Sequence, residues 1–332
     1  MGAPAGASAP VRVLYILAAS HSGSTLLAML LGGHPDVCTV GELKLSAIGD
    51  ASRYRCSCGR LIVECPFWGG VEADMRSHGF DFDVREPRTD VRAVPSRYAR
   101  RLLRPLLRGP VLEGGRDAAL WLSPAWRAWL PRVQARGAAL AAAACARMRS
   151  RVIVDSSKHG LRLKYLLRNP GVDVRVVRLL RDGRAVTLTY IDPERFADAE
   201  DTSLRGGGFG ASRDGERLDA RTAASQWRRS VEDMGHAFAR VPAGRRIDLR
   251  YEDLCTDVEG SVRRVLAFAG VDPALWQPTF RAREQHVVGN GMRLNASSSV
   301  VLDDRWRHAL SSADRQVFDA VAGDLNGRLG YA

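Results

Sequence analysis

The sequence predicts an α/β fold: a central parallel sheet flanked by helices, in a P-loop-like three-layer sandwich that carries a helical insertion. Three observations predict it. An apolar run, a small-residue turn and a leucine-rich run follow one another without a break over residues 11–31, which reads as a buried parallel strand feeding a helix packed against it. Further short apolar runs recur at Arg151–Asp155, Val172–Leu180 and Arg246–Tyr251, separated by helix-forming stretches. Polar residues gather just after those runs, at the carboxyl ends of strands where open α/β sheets bind ligands. A chain of 332 residues with 45% hydrophobic content can bury one substantial core of this kind.

Taken in order, Met1–Pro10 reads as a disordered leader, since it lacks the basic region and long apolar stretch of a signal peptide. One domain is expected over residues 11–332. Val11–Ala19 gives the first strand and Leu26–Leu31 its helix; His34-Pro35-Asp36 makes a turn, and Val37–Glu42 a short strand. Residues 80–136, with arginines among apolar positions and Trp121, Trp126 and Trp129 further on, read as a helical insertion over the site. Ala138–Met148 is a strong helix former. Leu161–Arg168 is helical and ends at Asn169-Pro170-Gly171. Gly206–Gly210 marks a mobile loop, and Leu218–Arg240 an amphipathic helix carrying Trp227.

The turn after the first strand is His21-Ser22-Gly23-Ser24-Thr25. Gly23 lets the backbone curl around an anion, and the N–H groups and dipole of the following helix start concentrate positive charge there. A nucleotide triphosphatase loop would carry a Lys before its Ser or Thr, and no Lys lies in residues 18–25. A dinucleotide fingerprint is excluded too, because Gly23 stands alone. The alternative reading is an ordinary strand-to-helix connection that binds nothing.

Three motifs in order resemble those of the sulfotransferase superfamily, which transfers a sulfuryl group from 3′-phosphoadenosine-5′-phosphosulfate (PAPS). The first is the loop His21–Leu27, which in that family cradles the 5′-phosphosulfate. The second is a strand ending in Arg181-Asp182, with Thr189 eight residues beyond the Arg; the resemblance implies that this pair binds the 3′-phosphate. Its continuation Arg181-Asp182-Gly183-Arg184-Ala185 is similar to the tyrosylprotein branch. The third is Arg250-Tyr251-Glu252-Asp253-Leu254, whose Tyr251 would serve the adenosine.

The same resemblance implies a catalytic Glu42 in Val40-Gly41-Glu42-Leu43, and a transition-state role for Lys158 in Asp155-Ser156-Ser157-Lys158. Lys158 stands out in a chain whose cations are nearly all arginine, because a compact ammonium can approach a bridging oxygen where a guanidinium would crowd. A carboxylate beside a phosphosulfate is expected to have a raised pKa, which suits a base. His21 departs from the family's usual Arg or Lys; it either donates to the phosphosulfate or is itself the base. Arg293, in Gly289-Asn290-Gly291-Met292-Arg293, is the candidate second ligand for the 3′-phosphate. Trp227 stacks on adenine or lies in the core.

The implied activity is sulfuryl transfer from PAPS to a hydroxyl of a sugar, phenol, tyrosine or natural product. Alternatives are a nucleotide-dependent kinase and a non-catalytic binder of nucleotides or anionic glycans. A net charge of +12 points to anionic ligands. Nucleic acid is disfavoured, since no recognition motif is present and the arginines are dispersed. No segment approaches the ~20 apolar residues of a membrane span, so a cytoplasmic enzyme is expected. No metal is expected either. Cys56, Cys58 and Cys65 form the one cysteine cluster; zinc would need a fourth ligand, with Cys38 or His78 nearest in sequence. A structural or redox-sensitive thiol cluster is the preferred reading.

Overall fold

The computed structural model describes residues 9–104, 110–196, 217–295 and 297–331. Its elements, in chain order, are β1 (Val11–Ala18), α1 (Ser24–Leu31), β2 (Val37–Thr39), α2 (Pro66–Ser77), α3 (Arg97–Leu102), α4 (Pro110–Trp121) and α5 (Pro124–Arg147). There follow β3 (Val152–Lys158), α6 (Gly160–Leu166), β4 (Val172–Leu180), α7 (Gly183–Ile191), α8 (Pro193–Phe196), α9 (Ala220–Ala239), β5 (Arg246–Arg250), α10 (Tyr251–Thr256) and α11 (Val258–Ala269). The five strands form one sheet in the order β2-β3-β1-β4-β5, and every pairing is parallel.

β1 shows why the sheet is a middle layer. Val13, Tyr15 and Leu17 point into one core with Trp68 of α2, Leu140 of α5 and Trp227 of α9. Leu14, Ile16 and Ala18 point into another, with the leucines of α1 and Val262, Val265 and Leu266 of α11. A strand buried on both faces needs an unbroken apolar run, which VRVLYILA supplies. Trp227 lies at 1% exposure against Phe318, at a ring distance of 5.7 Å, so the core reading of this residue holds.

The insertion differs from expectation in its far boundary. Residue 136 is no break, because α5 runs unbroken for 24 residues from Pro124, through Pro131, to Arg147. Its first half packs Trp126 and Val133 with Val91, Leu103, Leu120 and Tyr165 in a small separate core. Its second half, Leu140 to Cys145, belongs to the main core. One helix therefore anchors the insertion to the sheet. Gly206–Gly210 lies outside the described residues.

Candidate functional site

The register of the sheet brings the sequence motifs to one edge. Leu17 pairs with Lys158 on one side of β1, and Ala18 with Leu179 on the other. The chain leaving β1 thus emerges between the ends of β3 and β4, with Lys158 and Arg181 flanking it.

The loop itself is bent by two left-handed residues, His21 with φ 62° and Gly23 with φ 83°. Glycine is required at position 23 for a second reason: a Cβ there would lie 2.5 Å from the Tyr251 ring. Gly23 is the N-cap of α1, and no side chain caps that helix start, so its N–H groups suit an anion. Ser22 is buried at 1%, and its Oγ has no hydrogen-bond partner. A buried orphan of this kind in such a loop fits a ligand that supplies the missing partner. His21 packs edge-on against Tyr190, with ring centroids 4.9 Å apart.

Arg181 closes the other side. Its guanidinium lies 4.3 Å over the Tyr251 ring, donates to the His21 carbonyl at 2.7 Å, and pairs with Asp303 Oδ2 at 2.9 Å. Burial pushes the Asp303 carboxyl up, but hydrogen bonding from Arg305 and the charge and hydrogen bond of Arg181 outweigh it and bring it to about 2. Arg181 Nε is buried without a partner. The hydroxyl of Thr189 is turned inward and donates to the Ala185 carbonyl one turn back, at 3.0 Å.

On the β3 side Glu42 is held between two ammonium groups, Lys158 Nζ at 2.7 Å and Lys44 Nζ at 3.2 Å. Burial raises the pKa of Glu42, yet the charges of Lys158 and Lys44 and their hydrogen bonds carry it the other way, to about 2. The raised value expected from sequence applies beside a phosphosulfate; in the free protein the two ammonium groups set the opposite direction. Burial lowers the pKa of Lys44, and Glu42 opposes that shift. Asp155, fully buried, builds the ledge. It accepts from the backbone N–H of Leu43 and of Ser157 and from Arg162 Nε at 2.9–3.1 Å. Lys158 adopts φ 72°, a strained value for a residue with a side chain, of the kind found at functional sites.

A cavity of about 790 Å³ opens beside this ledge, between the insertion, α6 and α9; Ser20, Lys44, Lys158, His159, Arg162 and Lys164 are among its walls. The three lysines of the chain, Lys44, Lys158 and Lys164, all border it. His159 is open to the cavity yet ringed by protein, and burial together with the charges of Lys44, Arg92 and Lys158 pushes it down to about 3. It is therefore a neutral imidazole near pH 7.

The structure thus gathers His21, Ser22, Gly23, Ser24, Thr25, Arg181 and Tyr251 at one sheet edge, and Glu42 and Lys158 beside them. Arg293 is a correction. It is 4% exposed, donates to the carbonyls of Arg55 and Gly289, and stacks on Tyr54 at 4.2 Å. Nε and both terminal nitrogens donate to backbone carbonyls inside the protein. Lys44, Asp155 and His159 were missed; the scarcity of lysine, which marked Lys158, marked Lys44 equally. The fourth partner of the cysteine cluster was also missed. Cys38 lies 3.8 Å from Cys145, and His78 is exposed and bonded to the Asp74 carbonyl. His286 is the residue that meets Cys56 and Cys65.

A model described as the sulfotransferase family matches residues 127–278. Carbohydrate sulfotransferase 5 of Mus musculus is 26% identical over 341 residues, spanning 99% of this chain and 82% of that protein. Carbohydrate sulfotransferase 6 of Homo sapiens is 26% identical over 342 residues, with the same coverage. The chain resembles sulfotransferases over residues 127–278 by the family model and over 99% of its length by these two relatives. Among solved structures, this chain aligns with the sulfotransferase domain from the Curacin biosynthetic pathway at 16% identity and a TM-score of 0.46, covering 96% of this chain and 98% of that one. The sulfotransferase domain from the Synechococcus PCC 7002 olefin synthase aligns at 19% identity and a TM-score of 0.43, covering 96% and 97%. Among the described residues no helix of the chain is long and apolar enough to cross a membrane.

Proposed function

We propose that this protein moves a sulfuryl group from PAPS to a hydroxyl of a carbohydrate, with Glu42 as the general base. The observation that carries the reading is the Lys158–Glu42–Lys44 triad, set beside the anion-suited loop and a large cavity with charged side chains in its walls. The loop N–H groups and Ser22 hold the 5′-phosphosulfate, and Arg181 takes the 3′-phosphate. Tyr251 packs against both the loop and Arg181, so it fixes their spacing.

A carboxylate with a pKa near 2 is a poor base, and the triad resolves this. An anionic donor draws the ammonium of Lys158 away from Glu42 and towards the bridging oxygen, where charge develops as the sulfur–oxygen bond to the phosphate breaks. Relieved of one cation, Glu42 becomes more basic and accepts the proton of the attacking hydroxyl as the new sulfur–oxygen bond forms. The neutral His159 and the cationic walls then receive a polar acceptor. The carbohydrate class rests on the two relatives named for it, and the size of the cavity and the charged side chains in its walls agree. A kinase remains disfavoured, because the loop carries no lysine.

The test is transfer from labelled PAPS to a panel of glycans and phenols, read by mass spectrometry. Sulfated sugar is expected. Glu42→Gln is expected to lower kcat by about 10²–10⁴-fold, the usual scale of general base catalysis, with binding of 3′,5′-diphosphoadenosine unchanged. Product on phenols alone removes the carbohydrate assignment, and near-normal turnover by Glu42→Gln removes Glu42 as the base.

A further inference from the structure

We propose that Cys56, Cys58, Cys65 and His286 form a structural zinc site that fixes the backbone behind Glu42. The four side chains come from two distant stretches of chain, yet their ligand atoms all lie within 4.8 Å of one another. Cys58 Sγ and Cys65 Sγ are 3.7 Å apart, and His286 Nδ1 is 3.7 Å from Cys56 Sγ and 3.4 Å from Cys65 Sγ. A tetrahedral zinc with ordinary Zn–S and Zn–N bonds has edges of about 3.8 Å between sulfurs and about 3.6 Å between sulfur and nitrogen. These three separations are close to those edges, and the remaining ligand pairs lie within 4.8 Å. They are far too long for a disulfide, whose sulfurs lie about 2.0 Å apart, and all six cysteines are free.

The surroundings are those of bound thiolates. Cys65 is the N-cap of α2, so the start of that helix places partial positive charge beside its sulfur, and Cys56 and Cys65 are both buried. Residues 56–60 fold back on themselves through bonds between Cys56 N and the Arg60 carbonyl and between Gly59 N and the Cys56 carbonyl. The imidazole of His286 is stacked on Phe67 at 4.3 Å and 5°. Its Nδ1 faces the sulfurs of Cys56 and Cys65, while Nε2 lies 3.7 Å from Glu284 Oε1, beyond direct hydrogen-bond reach. Three sulfurs and one nitrogen select zinc over the oxygen-seeking cations. Four protein ligands leave no open position, so the site is structural rather than catalytic. Zinc entry displaces three thiol protons and leaves the centre with one net negative charge.

What the metal holds is specific. Ser57 donates to the Gln285 carbonyl at 2.5 Å, and Val287 N donates to Ser57 Oγ at 2.8 Å. Two residues past His286, Val288 donates to the Val40 carbonyl at 2.9 Å and accepts from Glu42 N at 3.0 Å. The zinc would therefore clamp the loop that begins at Tyr54 onto the very segment that pairs with the Glu42 backbone. The metal content does not depend on the proposed reaction, so the two can fail separately.

The experiment is elemental analysis of the full chain purified without chelators, followed by cobalt substitution. About one zinc per chain is expected, and cobalt should give the intense visible bands and thiolate charge-transfer absorption of a tetrahedral sulfur site. Cys65→Ser and His286→Asn should lose the metal, while Cys38→Ser and Cys255→Ser keep it. Stripping with a chelator should lower Tm, and zinc should restore it. Where a ligand variant yields no soluble protein, the metal content and cobalt spectrum of the unaltered chain decide. The proposal is overturned if the reduced chain, exposed to excess zinc and desalted, retains none, or if its cobalt spectrum lacks thiolate bands.

Discussion

At the scale of single residues, three ion pairs hold in place the groups a donor would use. Glu42 is tied by two lysines and Arg181 by Asp303. For Glu42 the folded pKa lies below the unfolded one, so its ionised form stabilises the fold above about pH 4.5, and that contribution is lost as pH falls towards 2. The Tm difference between the unaltered protein and Glu42→Gln should therefore be largest above that pH and shrink below it; a difference that grows on acidification would contradict the pairing. Because Glu42 of the free enzyme is already ionised there, kcat/KM should show no acid limb from it between about pH 5 and 8. Asp303 poses a separate question. If it competes with the 3′-phosphate for Arg181, Asp303→Asn should tighten 3′,5′-diphosphoadenosine by roughly fivefold, the equivalent of about 1 kcal/mol for a modest ion pair, while AMP binding stays the same. Calorimetry with both nucleotides distinguishes this from a general loosening of the site.

At the scale of elements, the insertion is the part most separable from the core. Trp126 lies 5.0 Å from the Tyr165 ring inside the small cluster that joins the insertion to α6. Truncating a buried Trp typically costs about 3–5 kcal/mol, but here the loss falls on a satellite core. Trp126→Ala should therefore speed hydrogen exchange in α3 and α4 and raise acceptor KM, with donor affinity and the protection of β1 and β4 nearly unchanged. Equal loss of protection in the sheet would show that the insertion is no separate unit. This is also where sequence reading stopped short. Strands buried on both faces announce themselves as apolar runs, and β4 falls on the expected residues, Val172–Leu180. The continuity of α5 through Pro131 could not be seen that way, because tertiary packing at both of its ends keeps a helix that local signals would break. The placement of Lys158 and Arg181 at strand ends was legible for the same reason as the strands. Arg293 was not, since a loop arginine facing a nucleotide and one stacked on a buried tyrosine look alike in sequence. His286 was equally hidden, because only the fold brings it to cysteines more than 200 residues away.

At the scale of the whole molecule, charge is distributed with a purpose that composition alone does not reveal. The excess of 49 Lys and Arg over 37 Asp and Glu is spread along the chain, yet its three lysines converge on one cavity, with Arg92, Arg162 and Arg229 also in the walls. Acidic groups face them, Asp90, Glu113 and Asp233 among them, so the field is a balanced one with a cationic surplus rather than a uniform positive sink. Such a cleft attracts an anionic ligand beyond its contacts, and added salt weakens that attraction as the screening length falls below about 10 Å near 0.1 M. A glycan that already bears sulfate or carboxylate should therefore bind better than its neutral counterpart at low salt. Raising ionic strength from about 0.05 to 0.3 M should increase acceptor KM for the anionic glycan by roughly threefold to tenfold, leave the neutral one within about twofold, and scarcely touch kcat, because steering acts on encounter and not on the chemical step. Donor must be saturating throughout, since PAPS is itself an anion whose binding responds to salt. Should neutral and anionic acceptors show the same salt dependence under saturating donor, the cavity's cations serve the fold and the donor alone, and the acceptor is recognised through hydrogen bonds to its neutral hydroxyls.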